Sequence, residues 1–141
     1  MKWVMLLVTN LSILGLTAQK SDTLRVDCTA NLVLSIPLGY GDTLYDYEEG
    51  FFRIFFWGNE DVLSIQCGSM SEPICLSDTI RYEIIQKCET RQKEKLAGIE
   101  KETGKCWGIV RFKRYRIVVS YICSPERRNL FEEVLESVKL E

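Results

Sequence analysis

The six cysteines of this 141-residue chain, Cys28, Cys67, Cys75, Cys88, Cys106 and Cys123, carry its most distinctive chemistry, and no histidine accompanies them. Without histidine, a Ser-His-Asp or Cys-His nucleophile system has no base. A zinc site would have to be built from cysteine alone, at spacings unlike known zinc patterns. There is no Cys-x-x-Cys dithiol either, so a thioredoxin-type redox centre lacks its motif. An even set of cysteines with these exclusions reads as a disulfide framework made in an oxidising compartment.

Adjacent carboxylates occur at Glu48-Glu49, Glu60-Asp61 and Glu132-Glu133. Nothing in the sequence supplies the apolar pocket that would tune one of them as a general acid. A glycine-rich phosphate loop and a nucleophile elbow are missing as well. The expectation is therefore a protein with no catalytic residue, no metal and no cofactor. The competing expectation is an enzyme with a cryptic carboxylate or thiol site.

Two clusters suit binding instead. Tyr40, Tyr45 and Tyr47 alternate with Asp42, Asp46, Glu48 and Glu49. Tyrosines beside acids make an adaptable contact surface, and the carboxylates are a candidate cation holder. The plainer reading is a solvated loop whose tyrosines cover the first hairpin. Arg111, Lys113, Arg114 and Arg116, with Arg127 and Arg128 further on, offer a docking patch for an acidic partner. Against that, charge at a hairpin tip usually serves solubility and edge protection.

The elements that would position these residues begin after a leader. Residues 1–19 carry Lys2, a short apolar run and the small residues Thr17-Ala18, the pattern of a secretory signal peptide. Thr9, Asn10 and Ser12 interrupt the run, which falls short of a bilayer span. Cleavage after Ala18 or Gln19 leaves a single domain over 20–141, long enough to bury its own core. The formal net charge of −2 argues against nucleic-acid binding, and no later stretch is long and apolar enough to cross a membrane. The expected location is periplasmic or extracellular.

Leu32–Pro37 reads as a strand stopped by proline, and 42–50 as a loop. Phe51–Trp57 and Val62–Cys67 read as a hairpin across Gly58-Asn59-Glu60-Asp61. Ser77 can cap a helix from Asp78, with Ile80, Ile84, Ile85 and Cys88 on one face, so that Cys88 points at the core. Over 89–101 a continued helix would keep Leu96 near the apolar stripe, while Lys95–Ile99 could start a strand. The strand is favoured, because Glu102–Lys105 is a credible turn, and it forms a meander with Lys105–Phe112 and Arg116–Cys123. Ser124, Pro125 and Glu126 open a final helix, in which Leu130, Phe131, Val134, Leu135 and Val138 make an apolar stripe that packs on the domain's own sheet. This order predicts an α+β fold, an antiparallel sheet flanked by helices and stapled by disulfides.

If Lys113 and Arg116 close the last hairpin, Cys106 falls opposite Cys123 in a non-hydrogen-bonded pair, with Cα atoms about 4.5 Å apart. That is at the short end of the disulfide range. Cys67 and Cys75 flank a short loop as a plausible local pair, which leaves Cys28 with Cys88 by elimination.

Ile36–Tyr40, Tyr45–Arg53 and Ser124–Phe131, continuing to Val138, resemble the PsbP-like (Mog-type) α/β/α sandwich family of small exported Bacteroidetes proteins. The resemblance implies an antiparallel sheet of about six strands with helices on its faces, and lends no catalytic residues. The functional expectation is an exported, non-enzymatic binding protein whose partner is another protein or an envelope component. An inhibitor or immunity-type protein with one tight partner is the alternative.

Overall fold

The computed structural model describes residues 20–68 and 74–141; the leader expected over 1–19 lies outside them. Their elements are β1 (Ser21–Asp27), β2 (Asn31–Pro37), β3 (Gly41–Tyr47), β4 (Gly50–Trp57), β5 (Asp61–Gly68), β6 (Tyr82–Glu89), β7 (Lys93–Glu100), β8 (Cys106–Phe112) and β9 (Ile117–Cys123). A 3₁₀ turn (Pro125–Arg127), one helix, α1 (Arg128–Ser137), and a two-residue strand, β10 (Lys139–Leu140), complete the chain. All strand pairings are antiparallel. The large sheet runs β3-β4-β5-β9-β8-β7-β6, and a smaller one runs β1-β2-β10.

Period-two alternation explains the centre of the large sheet. Leu63, Ile65 and Cys67 of β5, and Ile117, Val119, Tyr121 and Cys123 of β9, point to one face. The small sheet packs there through Leu24, Val26, Leu32, Leu34 and Ile36, beside Phe131, Val134 and Leu135 of the helix. Helix and sheet approach closely at Gly108, where a Cβ would lie 2.4 Å from the Tyr121 ring and 2.9 Å from Leu135. On the opposite face, Ile74 and Leu76 cover Trp107, Ile109, Leu96 and Tyr82.

The start of the helix is held by a buried carboxylate. Asp61 Oδ1 accepts the Ser124 N–H at 3.0 Å, and Oδ2 accepts from Arg127 Nη1 at 2.8 Å. The Ser124 hydroxyl, expected to cap the helix, makes no cap bond; Asp61 occupies that role from β5. Arg127 also lies over Phe131, 5.5 Å from its ring centre, and Phe131 meets Trp57 edge-on at 5.2 Å.

Several expectations are corrected. The helix-flanked α+β sandwich of about six strands is not what forms: the described chain is mostly strand, with two sheets and one short helix. The helix predicted from Asp78 is instead a turn followed by β6. The Asp78 carboxylate accepts the Arg81 N–H at 3.1 Å, and from Tyr82 onward the chain pairs with β7. Cross-strand hydrogen bonding outweighs the helical spacing of the isoleucines, which end up exposed. Ile80 is 86%, Ile84 48% and Ile85 51% exposed, and Cys88 faces solvent rather than the core. The loop expected over 42–50 is largely β3. By contrast, the first hairpin, the meander and the helix packing on its own sheet form as predicted.

The disulfide is Cys28–Cys67, with Cα atoms 6.0 Å apart. This overturns both the Cys67–Cys75 and the Cys28–Cys88 pairings, because the β1–β2 turn that carries Cys28 packs against the core at the Cys67 end of β5. The predicted register of β8 and β9 holds, with Cys106 opposite Cys123, but those thiols are unbonded, as are Cys75 and Cys88.

Closing a loop of 39 residues restricts the unfolded chain. Replacing both cysteines (Cys28→Ser with Cys67→Ser) is expected to lower unfolding free energy by about 2–4 kcal/mol in urea titration. Asp61→Ala should cost about 2 kcal/mol, because it strips two hydrogen bonds from a charged acceptor. Asp61→Asn, which can still accept the Ser124 N–H, should cost less.

Candidate binding surface

The β3–β4 hairpin carries the surface most suited to recognition. Its register pairs Thr43 with Ile54, Tyr45 with Phe52 and Tyr47 with Gly50. These side chains, with Phe56, lie on the face turned away from the small sheet, because Phe55 and Trp57 alternate into the main core. Tyr45, Tyr47 and Phe56 are each between two-fifths and three-fifths exposed, and Phe52 and Ile54 are half-buried. Tyr47 meets Phe52 edge-on at 6.2 Å. The hairpin closes through Glu48-Glu49 into Gly50, whose φ of +150° and 1.8 Å virtual Cβ approach to the Cys67 carbonyl exclude a side chain.

The back of the hairpin is fixed. Arg53 Nη2 donates to Asp42 Oδ2 at 2.9 Å, and its guanidinium lies 4.9 Å from the Phe55 ring centre. Asp46, Glu48 and Glu49 are exposed and have no ion-pair partner among the described residues. The turn end of the hairpin is therefore acidic and aromatic together.

Of the predicted tyrosine and acid cluster, Tyr45, Tyr47, Glu48 and Glu49 share this hairpin. Tyr40 does not. It packs half-buried against Phe55 at 5.3 Å and donates to Asp22 Oδ2 at 3.0 Å, a bond that pushes its phenol above the usual range. Its place is structural. Phe52, Ile54 and Phe56 were missed as surface residues, although their every-second spacing was a readable signal.

The predicted basic patch is dispersed. Arg111 pairs with Glu94, and Lys113 pairs with Glu89 and holds that carboxyl below its ordinary range. Arg114 lies over the Tyr115 ring, and Arg116 takes a positive φ of 52° in the turn. Arg111 and Lys113 are thus already matched by the protein's own acids.

The four unbonded thiols fall into two classes. Cys106 and Cys123 are buried, and burial pushes both thiols up, Cys123 to about 12. Cys75 is exposed, its Sγ lies 3.0 Å from Ser77 Oγ, and that hydrogen bond draws its thiol below the usual range. Among the described residues, no three histidine, cysteine or acidic side chains converge as a metal site. No family model, curated protein or solved structure matches the chain.

A depressed thiol pKa means more thiolate at neutral pH and faster alkylation. Timed iodoacetamide labelling with peptide mapping should therefore modify Cys75 early, and Ser77→Ala should slow it. Cys106 and Cys123 should react only once denaturant opens the core.

Proposed function

We propose that this chain is an exported, non-enzymatic binding protein that adds an extended, basic segment of a partner protein to the free edge of β3. The carrying observation is the coincidence of an open sheet edge with exposed aromatics and unpaired acids on one hairpin. A strand added to a sheet edge draws affinity from main-chain hydrogen bonds and specificity from flanking side chains.

The two edges of the large sheet differ. β6 is bulged between Ile84 and Gln86, a device that blunts edge pairing. β3 runs in unbroken register along β4 for all seven residues, and carries no lysine to guard it. Tyr45 and Tyr47 would flank an added strand on one face. Asp46, with Glu48 and Glu49 at the turn, favours lysine or arginine on the incoming segment.

Export rests on the leader reading and on the Cys28–Cys67 bond, since disulfides persist in oxidising compartments. Among the described residues no helix is long and apolar enough to cross a membrane.

The test is affinity capture from envelope extracts with the wild-type chain, a Tyr45→Ala/Tyr47→Ala variant and a Glu48→Ala/Glu49→Ala variant. The tyrosine variant should lose specific partners, at least tenfold in apparent affinity, the scale of two truncated aromatic contacts at about 1 kcal/mol or more each. The acid variant should bind more weakly and with less salt dependence. Identical partner sets for all three proteins would overturn the proposal.

A further inference from the structure

A second site, separate from the hairpin, lies where the β6–β7 and β8–β9 turns meet the last strand. Thr90, Gln92 and Lys93 form one wall of a cavity of about 320 Å³ there, Phe112, Arg114 and Tyr115 another, and Leu140 a third. Phe112 is buried, and Tyr115 and Leu140 pack partly into the main core, so the base is apolar.

The walls are tied in place. The Thr90 hydroxyl and backbone bracket the Lys93 backbone at 2.8–3.1 Å. Lys113 N–H reaches the Gln92 carbonyl at 3.3 Å, and the Tyr115 carbonyl accepts from Thr29 Oγ1 at 2.5 Å.

Charge decides what such a cavity can hold. Lys93 Nζ stands 5.8 Å from the Phe112 ring centre, and the Arg114 guanidinium 5.7 Å from that of Tyr115. The neighbouring cations Arg111 and Lys113 are paired with Glu94 and Glu89. Lys93 and Arg114 have no ion-pair partner among the described residues, and no carboxylate lines the cavity. Two unmatched cations therefore sit above an apolar base.

We propose that this cavity binds a small apolar monocarboxylate. Its hydrocarbon body rests on Phe112, Tyr115 and Leu140, and its carboxylate bridges Lys93 and Arg114, whose guanidinium can bind it through two parallel hydrogen bonds. The volume is near the lower end of the range for ligand pockets, roughly 300–1,000 Å³, which suits a medium-length chain or one aryl ring. Aromatic rings behind the cations hold them over the cavity without neutralising them.

The experiment is an amide-resolved NMR titration of the purified protein with octanoate. Octanol serves as the same tail without charge, and acetate as the same charge without a tail. Saturable shifts at Thr90, Tyr115 and Leu140 are the expected result. Octanol should bind at least about tenfold more weakly, the scale of one charge-assisted hydrogen bond, and acetate at least about tenfold more weakly for want of the buried methylene groups. Lys93→Gln/Arg114→Gln should weaken octanoate by a similar factor and leave the remaining spectrum in place. The proposal is overturned if octanol binds as well as octanoate, if the shifts map to another surface, or if the double variant binds unchanged.

Discussion

A seven-stranded sheet has two broad faces, and the other described elements are arranged by how they cover them. The small sheet and α1 close one face into a continuous core that reaches from β4 to β8. The other face receives Ile74 and Leu76 over β7, β8 and β9, while the hairpin at the sheet's edge keeps its aromatic residues in contact with water. Leaving apolar area exposed forgoes about 25 cal/mol per Å². Contiguous exposure of this kind is characteristic of surfaces that meet other molecules.

That exposed hairpin is not loose, because its reverse side is part of the core. Phe55 is fully buried, Arg53 is fastened to Asp42, and Tyr40 braces Phe55 while bonded to Asp22. Rigid aromatics held by a packed back face lose little freedom on binding, which is the economy that preorganised recognition surfaces share. Asp61 does similar work for the helix: one buried carboxylate positions both the Ser124 backbone and Arg127, and through Arg127 and Phe131 it steadies the aromatic cluster behind β4.

Local, repetitive patterns were legible in the chain. The β4–β5 hairpin, the β8–β9 register that sets Cys106 against Cys123, and the stripe of α1 all follow from side-chain periodicity over short spans. Ile80, Ile84, Ile85 and Cys88 misled because a helical spacing of apolar residues is also compatible with an edge strand whose partner, β7, provides the hydrogen bonds. Tyr45, Asp46 and Tyr47 alternate as a strand should, but their polarity suggested a loop. They lie on an edge, where the usual inside-outside contrast fades. Half of the candidate surface is visible as tyrosines and acids; Phe52 and Phe56 share an every-second spacing that marks one strand face, and the β3–β4 register shows which face it is. The Cys28–Cys67 bond was beyond reach, since no local pattern reports which distant strands share a core.

The short strand β10 gives the architecture a temporal order. Lys139 and Leu140 complete the sheet that β1 and β2 begin, and Ser137 accepts the Ser35 N–H at 2.9 Å across 102 residues of sequence. A ribosome releases the N-terminal end first, so β2 must wait with one edge unsatisfied until Lys139 and Leu140 emerge. Contacts this remote form late and slow the folding of a chain. The small sheet is therefore finished only when residues more than a hundred positions apart have met, and its closure is the last knot the fold ties.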